Sequence, residues 1–454
     1  MEFVHRRRRG AELFLLLLSL LVGLGAYAAV GIGAKGEVPA DMIGYGGWLA
    51  ALVIGCHVVI RLRAPYADPI VLPVVSALNG LGLAMIHRID LTGASGTGSN
   101  ASKQLIWMTI GVLLFVAVLV VLRDHRRLQA FTYTSGLAAL VLLLLPLLPG
   151  IGQDINGARI WIRIGSMSFQ PGELAKVLLV ITFAGYLVQH RDALALAGRR
   201  VLFVDLPRGR DLGPIVAMWL VSLGVLVFQN DLGSSLLFFG IFLVMLYVAT
   251  ERPGWLIVGA VLFGAGAWLG YLTTPHVQVR VQAWLDPFSH DSAYQIVQGM
   301  YGMAWGGLVG RGLGEGHPEM TPYSYSDFIL PSFGEELGLT GVMAILLLYG
   351  LLVERALRTA LICRDNFGKL VAVGLATVFA LQVFVVVGGV TKLIPLTGLT
   401  TPFLSYGGSS LVANWVIIAL LLRVSDHARR PPPALDPAGD DTDATQVVSL
   451  RGLR

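Results

Sequence analysis

The residues best placed to do chemistry lie between His276 and Glu336, the longest polar interruption in an otherwise apolar chain. Arg280, Asp286, Asp291, Gln295 and Gln298 fall close together there, where a carboxylate with an arginine nearby is a candidate general base if it can reach a substrate hydroxyl. Asp286 precedes Pro287, a turn signal that favours a capping role. Asp291 has no such turn partner, so its spacing leaves catalysis and loop structure both open. Glycines from Gly306 to Gly316 follow, and they permit close approach of backbone to backbone or to a ligand. GxGxG here follows no strand, so it makes no nucleotide-binding fingerprint.

A second pair, Glu173 and Lys176 in SFQPGELAKVLLV, is spaced three apart at a helix start, which puts both on one face, and Pro171 suits the first turn. Charges in or beside hydrocarbon mark functional sites, but a structural ion pair at a helix entrance fits the same spacing. Asp231 in FQNDLGSSLLFF reads as a turn cap beside Gly233. His276, His290 and His317 are too scattered for a zinc site, and no Ser-His-Asp elbow is present.

The elements that must position these groups follow from composition. Of 454 residues, 55% are hydrophobic and only 13% charged, whereas a soluble domain carries roughly a quarter charged residues. The chain therefore reads as an all-α polytopic membrane protein. Apolar runs near the ~20 residues of a spanning helix occur about twelve times, at roughly 12–33, 45–62, 69–87, 103–122, 130–149, 172–189, 213–229, 232–250, 254–272, 328–353, 368–390 and 402–423. If Arg6 to Arg9 hold the N-terminus in the cytoplasm, twelve spans return the C-terminus there. Most of the 33 Lys and Arg then fall in cytoplasmic segments, as the positive-inside rule requires. That parity places the segment 273–327 outside, and it explains the net charge of +5 as topology rather than nucleic-acid binding.

MEFVHRRRRG followed by a long apolar run reads as a retained start-transfer anchor. Cys56 lies in an apolar run and Cys363 in a basic loop, so they form no disulfide framework. The tail from Arg429, RRPPPALDPAGDDTDATQVVSL, holds too few large apolar groups to bury a core and is expected to be disordered. No fixed-period repeat and no inverted halves are evident.

Five motifs, NGARIWIRIGSMSFQPGELAK, FQNDLGSS, DPFSHDSAYQIVQ with GGLVGRGLG, YSDFILPSFGEELG and GLTTPFLSYGGSSL, together resemble the SEDS proteins, the group of RodA, FtsW and SpoVE. The likeness runs in collinear order over about residues 68–425. It divides the chain into a basic cytoplasmic segment with two additional helices (1–67), a ten-helix core with a catalytic outer loop at 273–327 (68–425), and a disordered cytoplasmic tail (426–454).

The resemblance implies a peptidoglycan glycosyltransferase in the cytoplasmic membrane of a bacterium, polymerising lipid II at the outer face beside a class B penicillin-binding protein. The essential loop aspartate of the family is matched by Asp291, with one residue more after Pro287 and fewer before Tyr294 than usual; Asp286 is the runner-up. Glu173 and Lys176 are carried over from Gln-Pro-x-Glu-x-x-Lys, Arg280 from the stretch upstream of the loop aspartates, and Gln295 and Gln298 join the expected substrate contacts. Asn230 stands where the family more usually has proline before Asp-Leu-Gly.

In the implied inverting transfer, an acceptor hydroxyl attacks the anomeric carbon opposite the departing diphosphate. Asp291 takes the proton, Lys176 and Arg280 offset the charge on the leaving group, and Glu173 holds Lys176. A divalent cation, Mg²⁺ or Mn²⁺, is the one cofactor such chemistry suggests. VVVGGVTKLIPLTGLTTPFLSYGGSSLVANW is similar to RodA-like members of the actinobacterial kind, so a role in elongation is expected, with an FtsW-like division role as the alternative. A lipid II flippase and a scaffold for the penicillin-binding partner are readings of other classes. The outer loop with its aspartates favours the enzyme, since a flippase needs its charges in a central cavity.

Overall fold

Helices account for nearly every apolar run. The computed structural model describes residues 7–93, 100–191 apart from 156 and 166, 199–201, 204–206 and 209–431. In chain order the α-helices are α1 Arg9–Lys35, α2 Met42–Arg63, α3 Val71–Asp90, α4 Asn100–Val121, α5 Thr132–Leu144, α6 Gly172–Gln189, α7 Gly209–Phe228, α8 Leu232–Thr250, α9 Gly254–Thr273, α10 Pro275–Leu285, α11 Tyr294–Gly306, α12 Ile329–Ile362, α13 Asn366–Val390 and α14 Gly408–Arg429. Among the described residues, eleven helical stretches are long and apolar enough to cross a membrane, and a shorter apolar one, Gly213–Phe228, occupies the seventh expected run. The chain is a multi-pass membrane protein.

The interior is built mainly from α3, α6, α13 and α14. By contrast α9 buries only Trp255 and Gly259 and leaves Ile257, Val261, Phe263 and Leu269 exposed. Such a surface suits lipid tails, which are as apolar as leucine. Helices α1 and α3 cross backbone to backbone, because a Cβ on Gly23 would stand 3.1 Å from the Cα of Gly80. Arg9 ties the start of α1 to the carbonyl of Pro65 at 3.1 Å and to the buried Glu12. Glu12 in turn meets His57 of α2 at 2.8 Å.

Several expectations about segments change. The stretch 273–327 is largely folded rather than a bare loop, with α10, the short 3-10 turns Pro287–Ser289 and Asp291–Ala293, and α11. Between α5 and α6 the chain forms a three-stranded antiparallel sheet, β1 Gly152–Ile155, β2 Ala158–Ile164 and β3 Met167–Phe169. A further hairpin pairs β4 Arg199–Val201 with β5 Val204–Leu206. The last helix begins at Gly408 rather than near 402 and runs to Arg429, so residues 426–429 belong to the bundle and not to a tail. Asp426 is buried and accepts from the Tyr66 backbone N–H at 2.8 Å, while Arg429 pairs with the buried Asp68. Residues 432–454, where disorder is expected, and Arg6 lie outside the described residues.

The polar stretch after α11 folds back on the bundle. Glu336 accepts from Arg88 of α3 at 2.8 Å and from the Gly314 N–H at 2.9 Å. Gly314, at φ +91°, lies so close to α1 that a Cβ there would be 2.7 Å from the Ala34 nitrogen, and a Cβ on Gly33 would collide with the Leu313 carbonyl oxygen. Only glycine combines that backbone angle with that closeness.

Candidate active site

Helix α6 opens with Gly172 after Pro171, and its first turn carries Glu173, where a carboxylate complements the helix dipole. Lys176, one turn on, is buried and contacts Glu173. Its ammonium also donates to Gln382 Oε1 of α13 at 3.1 Å. The Gln382 amide donates to the Thr400 carbonyl at 2.8 Å, so the pair is fixed to the loop between α13 and α14.

Asp231 is the N-cap of α8 and accepts from the Ser234 N–H at 2.9 Å, as the turn reading expected. It does more than cap. Burial raises its pKa, the bonds from Ser234 and the Arg280 guanidinium oppose that rise, and Glu173 adds to it; Gln170, just before α6, donates to its Oδ2 at 3.4 Å. Asn230 before it adopts φ 59° and donates from Nδ2 to the Gly157 carbonyl at 3.0 Å. Proline is locked near φ −65° and could not take this shape, whereas asparagine tolerates it.

Arg280 projects from α10, whose Pro275 occupies the first helical turn. Its Nη1 donates to the carbonyls of Leu396 and Thr397, each at 3.1 Å. Burial lowers the Arg280 pKa, and Asp231 and Asp327 act in the opposite direction. Asp327, two residues before α12, is the carboxylate that spacing did not single out. Burial pushes it up to about 6, against the pull of Arg280 and a hydrogen bond from Gln295. The Gln295 amide reaches the Pro322 carbonyl at 3.1 Å.

Glu173, Lys176, Asp231, Arg280, Gln295 and Asp327 are thus drawn to one end of the bundle. Gln170, Gln229 and Asp231 also line a narrow crevice with no room for a bound molecule. Asp286 and Asp291 are exposed and flank the Pro287–Ser289 turn. Gln298 sits partly buried on α11. The arrangement offers cations near the helix ends for an anionic leaving group and carboxylates of contrasting exposure for a proton.

The fit of a divalent cation can be judged from donor geometry. Among the described residues, three or more ligand atoms of His, Cys, Asp or Glu converge only around His125, in groups that include none of the site's carboxylates. The carboxylates of this site do not so converge, and no step below runs through a cation.

The FtsW/RodA/SpoVE family, described as cell cycle proteins, matches residues 69–430. The chain belongs to the FtsW/RodA/SpoVE family. Proteins named peptidoglycan glycosyltransferase RodA from Mycobacterium bovis and Mycobacterium leprae are each 49% identical to it over 93% of this chain and 92% of theirs. A probable peptidoglycan glycosyltransferase FtsW from Geobacter metallireducens is 33% identical over 80% of this chain and 96% of its own. Among solved structures, a chain from a peptidoglycan synthase complex that coordinates polymerisation and crosslinking superposes with TM-score 0.64 at 30% identity, covering 80% of this chain and 98% of that one. The rod shape determining protein RodA of Thermus thermophilus gives 0.55 at 28% identity, over 79% and 96%. The family match starts just past Asp68, so α1 and α2 precede the matched residues.

Proposed function

We propose that this family member is a peptidoglycan glycosyltransferase that polymerises lipid II at the outer membrane face, with Asp291 as general base. The observation that carries the reading is that Lys176, through Gln382 and the Thr400 carbonyl, and Arg280, through the Leu396 and Thr397 carbonyls, are fixed to the same loop between α13 and α14 at one end of the bundle. A polyprenyl diphosphate keeps its tail in lipid, so a reaction on it needs cations at a helix-bundle end and a base facing water.

Arg280 and Lys176 stabilise the diphosphate as the bond to the anomeric carbon breaks and the electron pair leaves with oxygen. The acceptor hydroxyl attacks from the opposite side and yields its proton to Asp291, which is exposed enough to meet the incoming sugar. Glu173 positions Lys176, and Asp327 with Gln295 positions Arg280. The 49% likeness to proteins named RodA, against 33% to one named FtsW, supports a role in elongation. The synthase complex among its structural relatives supports a class B penicillin-binding partner.

The test is polymer formation from labelled lipid II by the purified protein and that partner, with the transpeptidase blocked. Polymer from the wild type and none from folded Asp291→Asn supports the base; equal polymer from both removes it. No polymer from either, with substrate and partner shown competent, returns the lipid II flippase and scaffold readings.

A further inference from the structure

The end of the bundle away from Arg280 holds a cluster that glycosyl transfer does not use. Asp365 begins α13 and Gln382 lies near its other end, roughly 25 Å away along the helix. Asp124 and His125 occupy the turn between α4 and α5, Asp365 caps α13, and His427 sits in the last turn of α14.

His125 is 1% exposed. Its Nε2 lies 3.0 Å from Asp365 Oδ2, and Asp365 is itself held by the Gly368 N–H at 2.6 Å and the Cys363 thiol at 3.2 Å. A carboxylate in that place accepts a hydrogen bond from Nε2–H, which turns Nδ1 to the other side of the ring, toward Asp124 and His427. Nδ1 is buried without a hydrogen-bond partner. It lies 3.7 Å from Asp124 Oδ1, and ligand atoms of Asp124, His125 and His427 all fall within 4.8 Å of one another. A buried acceptor left unpaired is costly, and a cation would satisfy it.

We propose that Asp124, His125 and His427 bind a divalent transition-metal ion, zinc being the one that two imidazoles and a carboxylate favour. Three protein ligands leave a fourth position for water. Asp365 serves as the carboxylate that orients a metal-bound imidazole through its other nitrogen. Arg126 must give way, since its Nη2 meets His427 Nε2 at 2.8 Å. Its side chain is 48% exposed and its Nε is already 3.7 Å from Asp365, so it can turn away without uncovering a buried charge. A second trio, His125, Cys363 and Asp365, is equally compact, but there the N–H and S–H protons already fill the space between the atoms. The metal ties the α4–α5 turn to the ends of α13 and α14.

The experiment uses full-length protein in detergent, without a polyhistidine tag, stripped by a chelator and titrated with zinc against a chromophoric competitor. Thermal unfolding is followed with and without the ion. We expect one zinc per chain and a higher Tm on binding. His427→Ala, at a partly exposed position, should fold normally and lose both effects, and Asp365→Asn should weaken binding by about 10- to 100-fold. Cys363→Ser should bind like the wild type. Zinc uptake unchanged by His427→Ala, absence of uptake by the wild type, or loss of the site in Cys363→Ser would each overturn the proposal.

Discussion

Lys176 contacts Glu173 on its own helix and, from the same ammonium, donates to Gln382 of α13 at 3.1 Å. Both charges are nearly excluded from solvent, so removing either strands the other. Lys176→Met or Glu173→Gln alone should cost about 3–5 kcal/mol of stability and most of the activity. The double substitution should cost clearly less than the sum. A thermal and kinetic double-mutant cycle checks this, and additive losses would rule the coupling out.

Asp291→Asn should lower polymerisation by about 10²- to 10⁴-fold, the usual worth of a general base, with no change in Tm because the side chain is exposed. Asp286→Asn should lower it less. The two rates, measured on the same lipid II preparation, decide the order; the reverse ranking would make Asp286 the base.

Asp327 makes stability depend on pH. Its folded value of about 6 lies above the unfolded 3.8, so the native state holds the proton more tightly. That contribution is fully present below about 3.8 and is lost as pH rises through about 6, at no more than about 1.4 kcal/mol per unit. Asp327→Asn should flatten the Tm profile between about pH 4 and 6 relative to the wild type. Parallel profiles would refute the assignment.

The close approach of Gly33 to Leu313 and Gly314 makes α1 a brace for the segment that follows α11. Gly33→Val should release that segment, seen as faster amide exchange across residues 307–316, and lower activity several-fold with the site residues untouched. Unchanged exchange would show that the brace has no effect.

Removing residues 432–454 should leave polymerisation in the purified system intact. Arg429→Ala should not be neutral, because it strands the buried Asp68 at an expected cost of about 3 kcal/mol. Limited proteolysis and Tm distinguish the two variants, and an inactive truncation would contradict the first half.

Much of this was legible beforehand, for physical reasons. Lipid as solvent demands apolar runs of spanning length, so all the spans were visible, and the spacing of Glu173 and Lys176 on one helix face predicted their pairing. What escaped were relations that no spacing records. Arg280 is held by carbonyls more than a hundred residues away, and Asp327 has no sequence neighbour to mark it. The histidines that spacing offers as metal ligands, His276, His290 and His317, all lie within 273–327, whereas His125 and His427 meet only through the folding of α4, α5 and α14. Asp231 was read correctly as a cap, but its second role depends on Arg280, which arrives from another helix.

The link from Asp68 to Arg429 spans 361 positions. Ribosomes add roughly 5–20 residues per second, so an early carboxylate waits on the order of 20 to 70 seconds for its counter-charge. Through that interval the first helices are already in the membrane with a seam still open. The seam between the start of α3 and the end of α14 is therefore among the last to close in biosynthesis, and a chain that stops short of α14 leaves Asp68 without the counter-charge of Arg429.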